Sequence, residues 1–225
     1  MRHLEHRHSE GGHEPGSGRG RHMRRPRLLV LGALVCIGVT LAAAGDRATT
    51  IRDVTGATLD PFAPAGAANA VFFVQTDCPI SNWYAPTIQQ VCREYAARGV
   101  GCALMYEDVD LGAGGAVLEQ QARRHLREYR YERMPAAIDR TRAIASRAGA
   151  SVTPQVVVVD RAGTVRYSGR IDNAYADLGK PRQRVTSHEL RDALDAILEG
   201  RPVTRSRTEA LGCFIVDPAS LRKQP

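Results

Sequence analysis

Short apolar runs separated by polar, glycine-containing segments predict an alternation of strands and helices along most of the chain. The predicted strands are a short hairpin over 49–54 and 57–59, followed by 69–75, 100–106, 136–139, 155–160 and 164–170. The predicted helices are 80–98, 116–129, 140–148 and a last helix that Ser187 caps and that runs through Leu198. This order predicts an α/β sandwich with a central mixed sheet flanked by helices.

The first predicted helix shows its pattern most clearly. Its apolar positions, which fall at the spacing of one helix face, are Ile88, Val91, Cys92 and Tyr95. Gly99 follows them as the predicted C-cap of the helix. The sequence therefore predicts a helix that buries one face against the sheet.

A longer apolar run, residues 28–44, is uncharged and follows three closely spaced arginines. It ends in three alanines, the small residues that a signal peptidase recognises, and so it predicts a signal peptide. Its 17 residues would also just suffice for a membrane anchor. Residues 1–27 are interpreted as a basic leader that is disordered or reflects an overextended start, because a chain starting at Met23 has a signal peptide of ordinary proportions.

The composition narrows the function classes. Hydrophobic residues make up 43% and charged residues 24% of the 225 residues, which excludes collagen, a coiled coil and a wholly disordered chain. The net charge of +7 is concentrated in residues 1–27, where seven Arg and three Glu leave only +3 for the rest. The globular part is therefore nearly balanced, and no nucleic-acid partner is expected.

The strongest chemical signal is Cys78, which stands between a predicted buried strand and a predicted helix in the segment TDCPISN, residues 76–82. Unpaired backbone N–H groups and the helix dipole stabilise a thiolate at a helix N-terminus. Cys78 is therefore predicted to have a lowered pKa and to be the nucleophile of thiol–disulfide exchange. The alternative for this position is a small buried residue without a chemical role.

Two pieces of sequence resemble the thioredoxin pattern. Cys78, Ser81 and Pro86 stand at positions 0, +3 and +8, a spacing similar to C-x-x-C followed by a helix-kinking proline. Thr153 and Pro154 precede the strand QVVVVD and resemble that fold's cis-proline loop, which lies against the active cysteine. The resemblance implies a thioredoxin-like sandwich in which these two residues orient the partner.

The resemblance covers about residues 48–200 and extends to a narrower group. The segments that carry it are DCPISN, GVGCALMYED, TPQVVVVD, YSGRID and a late GC-x-I. In order and spacing they are similar to exported redoxin-domain proteins of the alkyl hydroperoxide reductase and thiol-specific antioxidant branch. The chain is accordingly divided into a redoxin domain over 48–200 and a C-terminal tail over 201–225.

The sequence departs from this family's pattern at two places. Ser81 occupies the position of the second cysteine, so the motif cannot close its own disulfide, although the hydroxyl can donate a hydrogen bond to a Cys78 thiolate. Gln75 occupies the position where peroxiredoxins carry a threonine, and Val71 the position where they carry a proline. A mixed disulfide at Cys78 would therefore need another thiol to resolve it, and the departures weigh against a peroxidase.

The other cysteines divide into three groups. Cys213 in the tail is the candidate resolving thiol, because it has the most freedom to move; the alternative is an incidental cysteine in a packed tail strand. Cys92 and Cys102 are predicted to be buried and inert, with a disulfide between them as the alternative, because their helix and strand should be neighbours. Cys36 lies in the apolar N-terminal run and leaves with it on cleavage.

The residues together predict an extracytoplasmic thiol–disulfide oxidoreductase with Cys78 as nucleophile. Its expected partners are protein thiols or disulfides and an external reductant, and it contacts a membrane only if residues 28–44 remain uncleaved. A thiol peroxidase that reduces a hydroperoxide is the first alternative. The second is a non-catalytic redoxin module that binds a partner, or copper through Cys78, Cys213 and His125. No cofactor or resident metal is expected for the oxidoreductase, and His125 is otherwise predicted to lie on the surface.

We predict cleavage after Ala44, because small residues follow the apolar run there. N-terminal sequencing of the mature protein should begin at Gly45. Protein in the membrane fraction that still contains Val30 would instead identify an anchor.

Overall fold

The computed structural model describes residues 50–110, 112 and 114–221. The predicted leader, the apolar run 28–44 and Cys36 lie outside these residues. Within the part of the chain that the structure describes, no helix is long and apolar enough to cross a membrane.

Eleven strands and five helices are formed by the described residues. The strands are β1 Ile51–Arg52, β2 Thr58–Leu59, β3 Ala68–Val74, β4 Val100–Tyr106, β5 Ala136–Ile138, β6 Val152–Thr153, β7 Gln155–Asp160, β8 Val165–Gly169, β9 Tyr175–Asp177, β10 Lys180–Pro181 and β11 Cys213–Phe214. The helices are α1 Pro79–Ala96, α2 Gly115–Glu128, α3 Ala143–Ala148, α4 Glu189–Leu198 and α5 Pro218–Leu221.

Five strands form the central sheet in the order β5-β4-β3-β7-β8. Strands β3, β4 and β5 run parallel, whereas β7 is antiparallel to β3 and β8 is antiparallel to β7. The predicted mixed sheet is therefore confirmed. Every residue of β3 is buried, as expected for a central strand that is covered on both faces.

Each face of the sheet has its own core, because successive side chains of a strand point to opposite faces. Phe72 and Leu104 belong to one core, which also contains the apolar faces of α1, α2 and α4. Phe73 and Met105 belong to the other core, where α3 contributes Ile144. The sheet thus lies between helices, and β3 delivers its carboxyl end directly to the start of α1.

Three predicted helix boundaries are corrected by the structure. The last helix begins at Glu189 with His188 rather than Ser187 at the N-cap position, and the backbone N–H of Ser187 donates to Asn173 Oδ1 at 3.1 Å. Helix α1 is capped by Ala97, and Gly99 instead takes a left-handed φ of 81° in the turn to β4. Helix α3 starts three residues later than predicted because Arg142 has a left-handed φ of 60°.

Cys92 and Cys102 form a disulfide, so the prediction of two inert core thiols is wrong and the alternative holds. The bond joins α1 to β4, with a Cα–Cα distance of 6.0 Å. Both residues pack against the core that contains Phe72 and Leu104. The disulfide ties the second half of α1 to the strand on which it rests.

Replacing Cys92 and Cys102 together by Ala should lower the free energy of unfolding by about 3 kcal/mol, because the unfolded chain loses the loop that the disulfide closes. Urea unfolding of the oxidised protein measures this difference. Reduced wild type and the reduced double variant serve as the control pair and should unfold with equal free energies, because neither then contains a disulfide. Equal unfolding free energies for oxidised wild type and the double variant would contradict the prediction.

Candidate active site

Cys78 occupies the N-cap position of α1, directly after the loop that follows β3. Pro79 is the first helical residue, which suits a position whose backbone N–H has no helical partner. The Cys78 side chain is only 1% exposed. Its sulfur therefore lies in a buried place at the positive end of the helix dipole.

The cis-proline loop lies against this cysteine, as the resemblance implies. The peptide bond between Thr153 and Pro154 is cis, and the Cys78 sulfur is 3.2 Å from the Thr153 carbonyl oxygen. The Thr153 hydroxyl donates to Gln75 Oε1 at 2.7 Å, while Gln75 Nε2 donates to the Glu107 carbonyl oxygen at 3.2 Å. Gln75 therefore links the end of β3 to the loop that faces Cys78.

Cys213 is brought to the same place by the pairing of β11 with β6. Cys213 stands directly opposite Thr153 in an antiparallel register. Its thiol donates a hydrogen bond to the Cys78 sulfur, with 2.7 Å between the two sulfur atoms. The structure thus brings together every residue singled out in the sequence for thiol chemistry, namely Cys78, Ser81, Thr153, Pro154 and Cys213.

The approach of β11 to the cis-proline loop depends on Gly212. A Cβ atom at this position would lie 1.8 Å from the Thr153 carbonyl oxygen. No side chain can occupy that space unless one of the two strands moves. The short distance between the Cys78 and Cys213 sulfurs therefore requires a glycine at position 212.

The tail around Cys213 is anchored on both sides, which corrects the expectation of a freely moving thiol. Before it, the Thr208 backbone N–H donates to the Ser168 carbonyl oxygen at 3.1 Å. After it, the Ile215 N–H donates to the Ser151 carbonyl oxygen at 2.9 Å. Only four residues separate Thr208 from Cys213, so the thiol is held in place rather than carried by a long mobile segment.

A buried guanidinium supplies a further anchor of the tail. Arg142 Nε donates to the Val216 carbonyl oxygen at 3.0 Å, and its Nη2 donates to the carbonyl oxygens of Glu107 and Asp108. The Glu107 side chain lies beside this guanidinium and is fully buried. Burial, aided by the charge of Asp139 and opposed by Arg142, raises the pKa of Glu107 to about 9, so this carboxyl is neutral at pH 7.

The surroundings move the pKa values of the two thiols in opposite directions. Burial raises the pKa of Cys78, but hydrogen bonds from the Cys213 thiol and from Ser81 outweigh it and place the pKa below its ordinary value. Burial, the hydrogen bond to Cys78 and the charges of Cys78 and Asp77 raise the pKa of Cys213 to about 12. Cys78 is therefore the more acidic thiol. Cys213 stays protonated and donates a hydrogen bond to the Cys78 sulfur.

The Ser81 hydroxyl lies one turn into α1, where it is buried. Among the described residues its oxygen has no hydrogen-bond partner, although Ser81 is one of the causes that lower the pKa of Cys78. A hydroxyl that lacks another acceptor is available to a thiolate. The stabilisation of a Cys78 thiolate by Ser81 therefore stays a prediction of the sequence.

His125 is buried, so the prediction of a surface histidine is wrong. Its Nε2 lies 2.8 Å from Asn82 Oδ1 and its Nδ1 lies 2.9 Å from the Tyr106 hydroxyl. Burial lowers the pKa of His125 to about 4, so the ring is neutral and Nε2 carries the proton that Asn82 Oδ1 accepts. Asn82 Nδ2 in turn donates to the Thr76 carbonyl oxygen at 3.1 Å, which holds the loop before Cys78.

The copper alternative finds no preformed three-ligand site. Over residues 50–110, 112 and 114–221, no group of three or more His, Cys, Asp and Glu side chains lies close enough together to hold a metal ion. His125 uses both ring nitrogens in hydrogen bonds, as described above. A copper ion in this part of the chain would have only the two sulfurs of Cys78 and Cys213 as soft ligands.

Three residues with a clear role at the site carried little sequence signal. In the sequence, Gln75 stands out only as a departure from the peroxidase pattern. A polar residue at the end of a buried strand nevertheless indicates a hydrogen-bonding role. For Gly212, the sequence signal is its position directly before a cysteine, because a glycine there permits a close approach to another backbone segment. Arg142 gave no signal, because a single arginine among 29 cannot be distinguished by residue type alone.

A groove of about 410 Å³ runs beside β11. Leu178 and Phe214 line it and are 55% and 76% exposed, respectively. Phe214 directly follows Cys213 in the chain. Two exposed apolar side chains therefore lie near the thiol pair.

Comparisons with known proteins agree with this architecture. No family model and no curated protein matches the chain. A hypothetical protein from Sinorhizobium meliloti is 26% identical with a TM-score of 0.62, and the match covers 74% of this chain and 88% of that chain. An uncharacterised conserved protein from Geobacillus kaustophilus is 25% identical with a TM-score of 0.62, and the match covers 74% of this chain and 86% of that chain.

A more distant match is a secreted Mycobacterium tuberculosis disulfide oxidoreductase described as homologous to E. coli DsbE. It is 16% identical with a TM-score of 0.46, and the match covers 68% of this chain and 96% of that chain. The five-stranded mixed sheet between helices and the cis-proline loop beside Cys78 make the fold of the present chain thioredoxin-like, as the sequence resemblance implied. The chemistry of the site is argued below from this chain's own residues.

We predict that the pKa of Cys78 lies below the reference of about 8.5 and that Ser81→Ala raises it, because the thiolate then loses a hydrogen-bond donor. The ultraviolet absorbance of the thiolate, followed against pH in the reduced protein, measures both values. Cys78→Ser supplies the blank, and Ser220→Ala, at an exposed serine, is the matched control. A transition at or above the reference in wild type would refute the prediction.

Proposed function

We propose that the protein is a thiol–disulfide oxidoreductase whose exchanging pair is Cys78 and Cys213. The observation that carries this proposal is the 2.7 Å distance between the two sulfurs beside the cis-proline loop. The lowered pKa of Cys78 supports it as the nucleophile, and the raised pKa of Cys213 supports it as the proton donor. Ser81 stabilises the thiolate, and Thr153 with Pro154 orients the partner chain.

The reaction with a substrate disulfide has two displacements. The Cys78 thiolate attacks one substrate sulfur, the substrate S–S bond breaks, and the other substrate sulfur leaves as a thiolate. Cys213 then loses its proton, attacks the Cys78 sulfur and expels the remaining substrate thiolate. The substrate gains two electrons, the protein retains a Cys78–Cys213 disulfide, and an external dithiol must reduce that disulfide before the next turnover.

The change in charge at Cys78 supports this order of events. The hydrogen bond to Cys78 and the Cys78 charge are two of the causes that raise the pKa of Cys213. Both disappear when Cys78 enters a mixed disulfide, since its sulfur is then neutral. Cys213 therefore becomes easier to deprotonate at the step in which it is needed as a nucleophile.

We further propose that the protein works outside the cytosol. The uncharged apolar run 28–44 supports this proposal, because its pattern is typical of an export segment. The disulfide between Cys92 and Cys102 supports the same location, because structural disulfides persist mainly in oxidising compartments. In an oxidising compartment the Cys78–Cys213 disulfide would not be reduced by cytosolic thiols, so the proposed location also requires a dedicated external reductant.

A thiol peroxidase of the alkyl hydroperoxide reductase and thiol-specific antioxidant branch is the second candidate. The same sulfur pair favours it, because a Cys78 sulfenic acid would meet the Cys213 thiol at once and condense to the same disulfide. Gln75 argues against it, since its side chain is engaged with Thr153 and Glu107 where the peroxidase pattern has a threonine. Peroxide consumption in the presence of a dithiol distinguishes the two candidates.

We predict that the oxidised protein contains a Cys78–Cys213 bond and that Cys213→Ser lowers dithiol-driven turnover by more than about tenfold, because the mixed disulfide at Cys78 loses its internal resolving thiol. Peptide mapping by mass spectrometry under non-reducing conditions identifies the bond. The same mapping should find mixed disulfides or oxidised Cys78 accumulating in Cys213→Ser.

The double variant Cys92→Ser with Cys102→Ser is the matched control, because it also removes cysteines but leaves the exchanging pair. It should retain turnover under conditions in which it remains folded. Turnover of Cys213→Ser at the wild-type rate would show that the resolving thiol is external. Stoichiometric binding of Cu(I) without turnover would instead favour a copper-binding module.

A further inference from the structure

The two sulfurs of the proposed pair differ in their access to solvent. The Cys78 side chain is 1% exposed, whereas Cys213 is only partly buried. The Cys213 sulfur and the Thr153 carbonyl oxygen lie 2.7 Å and 3.2 Å from the Cys78 sulfur. Cys78 is thus the inner cysteine of the pair, and Cys213 is the outer, more exposed one.

Cys213 is held in place by more than the contact between the thiols. Strand β11 pairs with β6, and the hydrogen bonds of Thr208, Ile215 and Arg142 fix the chain on both sides of Cys213. A disulfide between the two sulfurs adds a covalent bond to these contacts. The oxidised protein therefore has even less opportunity than the reduced protein to uncover Cys78.

The chemistry of exchange makes this difference important. A thiolate attacks one sulfur of a disulfide and expels the other, so the rate depends on access to the attacked sulfur and on the stability of the leaving thiolate. The helix N-terminus and the Ser81 hydroxyl stabilise a thiolate at Cys78. These groups do not act on Cys213, which lies on a two-residue strand rather than at a helix end.

We propose that the reductant attacks the oxidised protein at the outer sulfur, Cys213, and that Cys78 is the leaving group. The incoming thiolate forms a bond to the Cys213 sulfur, and the Cys78–Cys213 bond breaks. The electron pair of that bond departs with Cys78 as a thiolate. The second thiol of the reductant then loses its proton, attacks the reductant's own bound sulfur and releases Cys213, which takes up a proton.

This step deepens the proposed function and rests on it. The two partners use different sulfurs: the substrate disulfide meets Cys78 in the reduced protein, and the reductant meets Cys213 in the oxidised protein. The expected reductant is a protein or small molecule with two thiols, because the mixed disulfide at Cys213 must be resolved from the reductant's side. Cys213 is thereby both the resolving thiol of one half-reaction and the entry point for electrons in the other.

Glutathione is a suitable probe of the first displacement, because a single thiol forms the mixed disulfide and resolves it slowly. The oxidised full chain is mapped first, so that its Cys78–Cys213 bond is established. It is then mixed briefly with glutathione, quenched with acid and alkylating reagent, and mapped again. At the earliest times glutathione should be attached to Cys213 in more than about tenfold excess over Cys78, with Cys78 recovered as the alkylated thiol.

Gly212→Ala tests whether the position of β11 determines which sulfur of the Cys78–Cys213 disulfide the reductant attacks. The added Cβ clashes with the Thr153 carbonyl oxygen, so β11 must shift away from β6 and expose Cys78, while both cysteines of the disulfide remain in the chain. The share of glutathione on Cys78 should then rise several-fold. Glu209→Ala, at an exposed residue of the same tail segment, is the control and should behave as wild type.

Two results would overturn the inference while the proposed function stands: glutathione on Cys78 with Cys213 free in wild type, or an unchanged ratio in Gly212→Ala. Failure to find a Cys78–Cys213 bond in the first mapping would instead refute the exchanging pair itself, and the inference would fall with it. The order of the two measurements keeps these failures distinct.

Discussion

The contact between the Cys213 thiol and the Cys78 sulfur is the interaction on which the site depends. It joins the start of α1 to a strand that is 135 residues away along the chain. The contact stabilises the charged form of Cys78 and at the same time shields it from solvent. Acidity and burial usually oppose each other in a thiol, because a buried charge loses its hydration. Here a hydrogen-bond donor supplied by the partner cysteine replaces the lost water.

This contact is possible because several weak polar interactions hold both partners in place. On the Cys78 side, His125 holds Asn82, and Asn82 holds the backbone of Thr76. On the Cys213 side, the Thr153 hydroxyl donates to Gln75. The absence of a side chain at Gly212 lets the tail approach the Thr153 carbonyl oxygen closely. Each buried polar group is thereby used to set the position of a backbone segment, which is how a satisfied buried network specifies one arrangement. The sulfur–sulfur distance follows from these positions.

Helix α1 carries a thiol at its start and a disulfide near its end. Cys78 and Cys92 are fourteen residues apart, which corresponds to about 21 Å along a helix. The Cys92–Cys102 disulfide fixes the helix to β4 at a place remote from the reacting sulfurs. Replacing the usual second cysteine of the motif by Ser81 leaves the first turn of the helix free of a competing thiol. In the proposed reaction the exchanging partner is instead Cys213 in the tail, which is more exposed than Cys78.

The sequence by itself determined the features that depend on local pattern. The apolar runs of β3, β4 and β7 and the periodicity of α1 predicted the sheet and its helices, because strand and helix periods differ. The position of Cys78 between strand and helix predicted the direction of its pKa shift, but the largest cause that lowers this pKa is the hydrogen bond from the distant Cys213. Tertiary structure alone decided which distant groups meet. The burial of His125, the anchoring of the tail by Arg142 and the Cys92–Cys102 disulfide depend on packing between separate elements. Likewise, the greater exposure of Cys213 is set by the pairing of β11 with β6, and spacing along a chain does not encode which of two neighbouring cysteines is more exposed.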